Sequence, residues 1–313
     1  MPLPPVLLEI KQAGCLFHKY SKFNILPNKD GSTNTQSSIF YLTKMVSKLK
    51  TMKKFARKIS TLLSVYYAYM VEYRAELILW LLAGSLPIIM MGVWNQAAQG
   101  GQFGLTPVEF ARYFLTVFIV RQWTSVWVIW EFEREVVEGK LSPKILQPLD
   151  PVWHHVTSHL SERVARMPFV ILLIVLFLIL YPQAAWSPSL WQILFFCTAV
   201  LMAFALRFAI QYTFAMFAFW TERASAIENF WFLFYLFLSG SIAPLKVFPP
   251  AVRVIVECTP FPYLIDFPVS ILIGLRVDIG RGFAVMLAWT MIFIGFNRML
   301  WRAGLKRYSG MGA

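Results

Sequence analysis

Six runs of mostly apolar residues constrain this chain more than any other feature. They lie at about 75–95, 110–130, 165–182, 190–220, 227–244 and 282–301. A helix of roughly 20 apolar residues spans the ~30 Å hydrocarbon core of a bilayer, and a helix pairs its own backbone groups where water cannot. Composition agrees, since 58% of the 313 residues are hydrophobic and only 14% are charged. Soluble domains carry about 25% charged residues. A water-soluble enzyme and a disordered chain are thereby excluded. So is a disulfide-stapled secreted domain, because Cys15, Cys197 and Cys258 stand far apart and form no CxxC pair. The expected fold is an all-α polytopic membrane protein with six transmembrane helices.

Charge sets the orientation. Residues 1–74 hold twelve Lys/Arg against three Asp/Glu, and residues 297–313 hold four Lys/Arg and no acid. The rest of the chain is balanced at thirteen of each sign. Basic ends on so apolar a chain follow the positive-inside rule and place both termini in the cytoplasm, rather than marking a nucleic-acid surface. The short links agree. Those at 96–109 and 183–189 lack Lys and Arg and belong outside. Those at 131–164 and 221–226 carry basic residues and belong inside. The link at 245–281 departs from the rule, because it should lie outside yet carries Lys246, Arg253, Arg276 and Arg281.

Residues 1–51 read as an N-terminal extension, with a flexible linker at 27–38, and 52–313 as the membrane domain. Within 52–74, Phe55, Ile59, Leu62, Tyr66 and Met70 recur at helical spacing with Lys54, Arg57 and Lys58 between them. That pattern predicts an amphipathic helix lying at the membrane interface.

Two links are not ordinary loops. In 131–167, Ser142-Pro143 and Asp150-Pro151 each join an N-cap residue to a proline suited to a first helical position. They predict a short helix at 143–147 and a longer one from 151 into the third span. Glu131, Glu133, Glu135 and Glu138 precede them and read as a solvated charged stretch. His155 and His159 stand four apart, but a zinc site needs three or four ligands, so a solvated face is expected and no metal. In 245–281, Pro249-Pro250 and Phe267-Pro268 open two pieces too short to cross, which suit interfacial or re-entrant helices.

Arg121 and Arg207 fall inside the second and fourth runs. An arginine at mid-membrane costs roughly 2.5–3.5 kcal/mol on insertion scales, so each must face protein or a wet cavity. Gln211 lies one turn beyond Arg207 on the same face. These three are pathway candidates, set against the plainer reading of a helix contact. Glu76, Glu222 and Glu228 lie near span boundaries, and no catalytic constellation falls at one depth.

The run Gly139-Lys140-Leu141-Ser142-Pro143-Lys144-Ile145-Leu146-Gln147-Pro148-Leu149-Asp150-Pro151 resembles the first cytoplasmic loop of ABC-2-type exporter permeases. Leu238-Ser239-Gly240-Ser241-Ile242-Ala243-Pro244-Leu245 with Phe248-Pro249 is similar to the end of that family's fifth span. The tail Trp301–Gly310 is similar to its C-terminus. The resemblance covers about 52–313. It implies an inner-membrane transport subunit without catalytic residues or cofactor, exporting its substrate with energy from a separate ABC ATPase. The chain itself has no GxxxxGK[ST] loop. The resemblance also implies a second permease subunit, identical or different, and coupling through the 131–167 elbow. The contacts would come from Gly139, Leu141, Ile145, Leu146, Pro148, Asp150 and Pro151. The rival readings are a membrane-embedded lipid-modifying enzyme, which should gather polar residues at one depth, and an ion-coupled secondary carrier, which should show internal repeats.

Overall fold

A computed structural model describes residues 35–73, 75, 79, 86–98 and 104–308. All regular structure among them is helical: α1 (Thr35–Glu72), α2 (Leu86–Ala97), α3 (Pro107–Thr124), α4 (Val128–Val137), α5 (Leu141–Ile145), α6 (Val152–Leu180), α7 (Leu190–Ala215), α8 (Ser225–Leu238), α9 (Pro250–Glu257), α10 (Asp266–Ile273) and α11 (Ile279–Leu305), with short 3-10 turns. Among the described residues, α6, α7 with its 3-10 extension to Phe219, and α11 are long and apolar enough to cross a membrane. The protein is an all-α membrane protein. Its contacts divide between Lys58 and Ile59 into a small N-terminal unit and a larger one.

The fourth run is one unbroken α-helix through Arg207, and its end tightens into a 3-10 turn at Met216–Phe219. It starts at a capping box, with Ser189 and Gln192 each satisfying the other's backbone N–H. The sixth run starts where Asp278 accepts from the Arg281 N–H. Of the first run, residues 75, 79 and 86–95 are described, and Pro87 lies buried in the first turn of α2. Residues 1–34 lie outside the described residues.

Four expectations need correction. The second span is two helices, α3 and α4, broken at 125–127. The fifth ends at Leu238, short of the expected 244. The short elbow helix starts at Leu141, because Pro143 is tolerated anywhere in a first turn whose N–H groups have no helical partner. The N-terminal helix already runs at Thr35, so 35–38 are helical rather than linker. Its half-buried positions from Ile59 on are Ile59, Leu62, Leu63, Tyr66 and Met70, which match the expected stripe except at its first member, Phe55, which is exposed.

Just past the end of the fifth span the chain turns at Gly240, whose φ of 93° an L-residue adopts only with strain. The Tyr113 hydroxyl sits against this turn and bridges the Gly240 carbonyl (2.9 Å) and Asp266 Oδ1 (2.8 Å). Leu245 N–H donates to the same carboxylate oxygen at 3.0 Å. This latch ties α3 to the start of α10. The latter is buried from Phe267 to Leu272 in a core shared with Phe110 and Phe114 of α3, Ala203 and Leu206 of α7, and Trp231 of α8. Of the two placements expected for the segment before the last span, α10 is therefore enclosed by protein.

A Cβ at Gly240 would meet the Tyr113 hydroxyl and lie 2.8 Å from the Asp266 Cβ. Gly240→Ala is therefore expected to cost at least ~1–2 kcal/mol from backbone strain alone. Thermal unfolding in detergent checks this, with an unchanged midpoint as the contrary result.

Candidate functional site

The elbow is a short turn held at both ends. Helix α4 places Glu131 and Glu135 one turn apart, with Phe132 and Val136 buried beneath. Gly139, at φ 72°, turns the chain out of α4 and into α5. There Leu141 is fully buried in a cluster with Phe132, Tyr212, Phe219 and Trp301. Lys144 Nζ meets Glu135 Oε1 at 2.6 Å. The Ser142 and Tyr308 hydroxyls share a hydrogen bond of 3.1 Å. At the far end, Asp150 accepts from Val152 N–H (3.0 Å) and from Arg298 (2.7 Å). Gln147 Oε1 meets His154 Nε2 at 2.9 Å, and Tyr66 of α1 meets the other nitrogen of that ring at 3.4 Å.

Of the seven residues expected to couple, Leu141 and Pro151 are buried, while Gly139, Ile145 and Asp150 are half-buried. Leu146 and Pro148 are exposed, Leu146 to 86%. A large apolar side chain stands in solvent on a fixed base.

The histidines do not lie on a solvated face. His155 and His159 are 2% and 1% exposed. Glu131 Oε2 lies 3.3 Å from His155 Nδ1 and 3.7 Å from His159 Nε2, and Glu135 Oε2 lies 3.5 Å from His155 Nε2. The glutamates are partners of these rings rather than a free acidic stretch. Nothing in sequence spacing signals a pairing that joins residues 24 positions apart. Among the described residues no group of three or more His, Cys, Asp or Glu is arranged to hold a metal ion.

Burial alone would raise the Glu131 pKa. The His155 hydrogen bond, with the charges of His159, His155 and Lys144, outweighs it and brings the pKa down from 4.5 to about 2. A depressed carboxylate contributes stability that is present above its ordinary pKa and lost as pH falls through the depressed one. The window here runs from about 4.5 down to about 2. The side chain is 31% exposed, so solvent screening leaves about 1 kcal/mol. Glu131→Gln is therefore expected to lower the unfolding midpoint at pH 6 and flatten its decline below about pH 4.5. Unfolding midpoints across that range check this, and parallel curves for the two proteins would contradict it.

The break between α3 and α4 is held by Arg163 of α6. Its guanidinium, 2% exposed, donates to the carbonyls of Trp123, Ser125 and His159 and lies 4.4 Å above the Phe204 ring. Arg166 pairs with Glu162 and donates to Gln122 Oε1 at 3.2 Å. In the sequence Arg163 is one of the basic residues of the 131–164 link, and Arg166 stands at the start of the third apolar run. Two basic residues three positions apart before an apolar run were the available signal.

Arg207 and Gln211 lie in one buried polar cluster, and Arg121 has a buried guanidinium nitrogen with no hydrogen-bond partner among the described residues. Arg207 is buried with its guanidinium 4.0 Å from the Tyr235 ring centre and 5.6 Å from that of Trp231. Gln211 donates to Glu228 Oε1 at 2.7 Å. Glu228, set aside from sequence as a boundary residue, is 3% exposed and belongs to this cluster. Arg207 Nε, Gln211 Oε1, Glu228 Oε2 and the Tyr235 hydroxyl are buried with no hydrogen-bond partner among the described residues.

The family described as ABC-2 family transporter protein matches residues 104–312, a stretch that takes in α3 through α11. The chain belongs to the ABC-2 transporter family. The elbow, the latch and the buried polar cluster of this ABC-2 transporter protein all fall inside the matched segment. No curated protein matches the chain. As a permease of this family it is a transport subunit of the multi-pass membrane class.

Proposed function

We propose that this permease is one half of an ATP-driven exporter and takes its energy from a separate ABC ATPase that docks on the 131–167 elbow. The observation that carries the reading is Leu146, 86% exposed at the tip of a turn whose base is locked by Leu141, Lys144–Glu135 and Asp150–Arg298. A partner that fills its pocket with Leu146 can push on the turn. The braces pass that load to α4, α6 and α11 together.

Six spans with both termini in the cytoplasm of an inner membrane are part of the same reading, supported by the charge asymmetry of the links. A second permease, identical or different, would close the path. Arg121, Arg207 and Gln211, joined by Glu228, would favour an anionic or zwitterionic group along it.

The test is affinity purification of the tagged protein from detergent-solubilised native membranes, with co-purifying subunits identified. A stoichiometric P-loop ATPase, lost when 139–151 is scrambled, is the expected result. A stable chain that purifies without any ATPase would overturn the reading.

A further inference from the structure

The basic residues that break the positive-inside pattern converge on one cavity. A cavity of about 520 Å³ lies among the Leu245–Val247 turn, α9, the end of α10 and the start of α11, and Lys246, Arg253, Arg276 and Arg281 all line it. That volume falls in the range of small-molecule sites.

The acids lining the cavity do not balance these cations. Asp266 is turned to the Tyr113 hydroxyl and the Leu245 N–H. Asp278 caps the Arg281 N–H of α11 at 2.9 Å. That leaves Glu257, which is shared: Arg253 Nε lies 2.8 Å from one of its oxygens and Arg281 3.9 Å from the other. Lys246 donates to a neutral carbonyl, that of Gly104, at 3.1 Å. Arg276 is exposed. Four cations therefore face three carboxylates, two of which also serve neutral donors, and the lining keeps a basic excess of one. The opposite wall is apolar, with Pro262, Tyr263, Phe267 and Leu275.

We propose that this cavity binds a phosphate-bearing anion, with Arg253, Arg276 and Arg281 on the phosphate and the Tyr263–Phe267 wall against its apolar part. Arginine suits this role because its planar fork donates two parallel hydrogen bonds to one phosphate. Four basic residues on a link expected outside run against membrane orientation, and a bound anion would offset that charge where it stands. The outer placement rests on the orientation proposed above, whereas the anion site rests on the cavity alone. A lipid headgroup and a free phosphorylated molecule both carry such a phosphate, and the two would share the charged end of the cavity.

The test is isothermal titration of the full chain in a neutral maltoside detergent with three probes: dihexanoyl-phosphatidylglycerol, glycerol 3-phosphate and inorganic phosphate. Saturable binding of at least one probe is expected, weakening as salt is added. The Arg276→Gln/Arg281→Gln double variant should bind at least tenfold more weakly, and the Arg276→Lys/Arg281→Lys variant should retain most of the affinity. Both positions are exposed, so the unfolding midpoint should hold and report intact protein. Binding of the lipid alone assigns a headgroup, and equal binding of glycerol 3-phosphate assigns a free phosphorylated ligand. The absence of saturable binding, or binding unchanged by the glutamine pair, overturns the proposal.

A separate arm tests the placement. Arg276→Cys in a cysteine-free background should react with a membrane-impermeant maleimide on intact cells. Reaction only after permeabilisation would overturn the proposed orientation and leave the anion site to the titration.

Discussion

Arg163→Met is expected to remove most of the folded protein from detergent extracts. The α3 helix ends at Thr124, and its last carbonyls have no partner within the helix. Ser125 takes care of one, since its N–H and its hydroxyl both bond the Arg121 carbonyl. Trp123 and Ser125 have their carbonyls served by Arg163, which also holds the His159 carbonyl on its own helix. Methionine matches much of the volume but donates nothing. Each orphaned carbonyl costs about 1–3 kcal/mol, and water reaches this site poorly. Two such groups would consume a large share of the 5–15 kcal/mol that keeps a typical protein folded. Arg163→Lys should be intermediate, because its ammonium keeps the charge but loses the planar fork. Size-exclusion profiles and thermal midpoints in detergent check both variants. A monodisperse Arg163→Met protein with an unchanged midpoint would show that the break is held by other contacts.

That same break marks where sequence reading stops. Long apolar runs announce α6, α7 and α11, because lipid crossing requires only length and hydrophobicity. Asp150 announced the start of α6, since it accepts from the Val152 N–H two residues on, whereas Ser142 did not mark the start of α5. The half-buried stripe of α1 was readable from periodicity, except at Phe55. The break at 125–127 carries no proline or glycine. Its only local sign is Thr124-Ser125, whose hydroxyls bond back to the carbonyls of Val120 and Arg121. What holds it open comes from Arg163, 38 positions away from Ser125. The early end of the fifth span depends likewise on Tyr113 and Asp266, distant partners of one glycine. His155 and Glu131 are a third case. Each residue was noticed in sequence and given a solvated role, because burial is a property of the whole assembly. Arg121 and Arg207 stand out in the sequence because charge in an apolar run is costly wherever it points, and Gln211 only by its place one turn beyond Arg207. Their neighbour Glu228 sat at a run's edge and carried no such flag.

Leu146→Asp should abolish coupling while leaving the fold intact. At 86% exposure the side chain contributes little to the folded state, and substitutions at such positions usually change stability by less than about 0.5 kcal/mol. In a docked ATPase the same leucine would sit at the centre of the contact. Replacing it with a carboxylate there would bury a charge without a partner. An interface anchor of this kind costs at least about 2 kcal/mol, roughly thirtyfold in affinity, when it is lost. ATP-dependent transport in reconstituted vesicles should fall at least tenfold, and the ATPase should no longer co-purify. Leu141→Asp is the contrasting variant, five residues away. That side chain is fully buried under Phe132 and Trp301, so the carboxylate would disrupt the elbow itself and lower the unfolding midpoint. A coupling surface predicts loss of transport at both positions but loss of stability at Leu141 only. If Leu146→Asp transports normally, the energy enters the permease elsewhere, and the braced turn serves only to hold α4, α6 and α11 together.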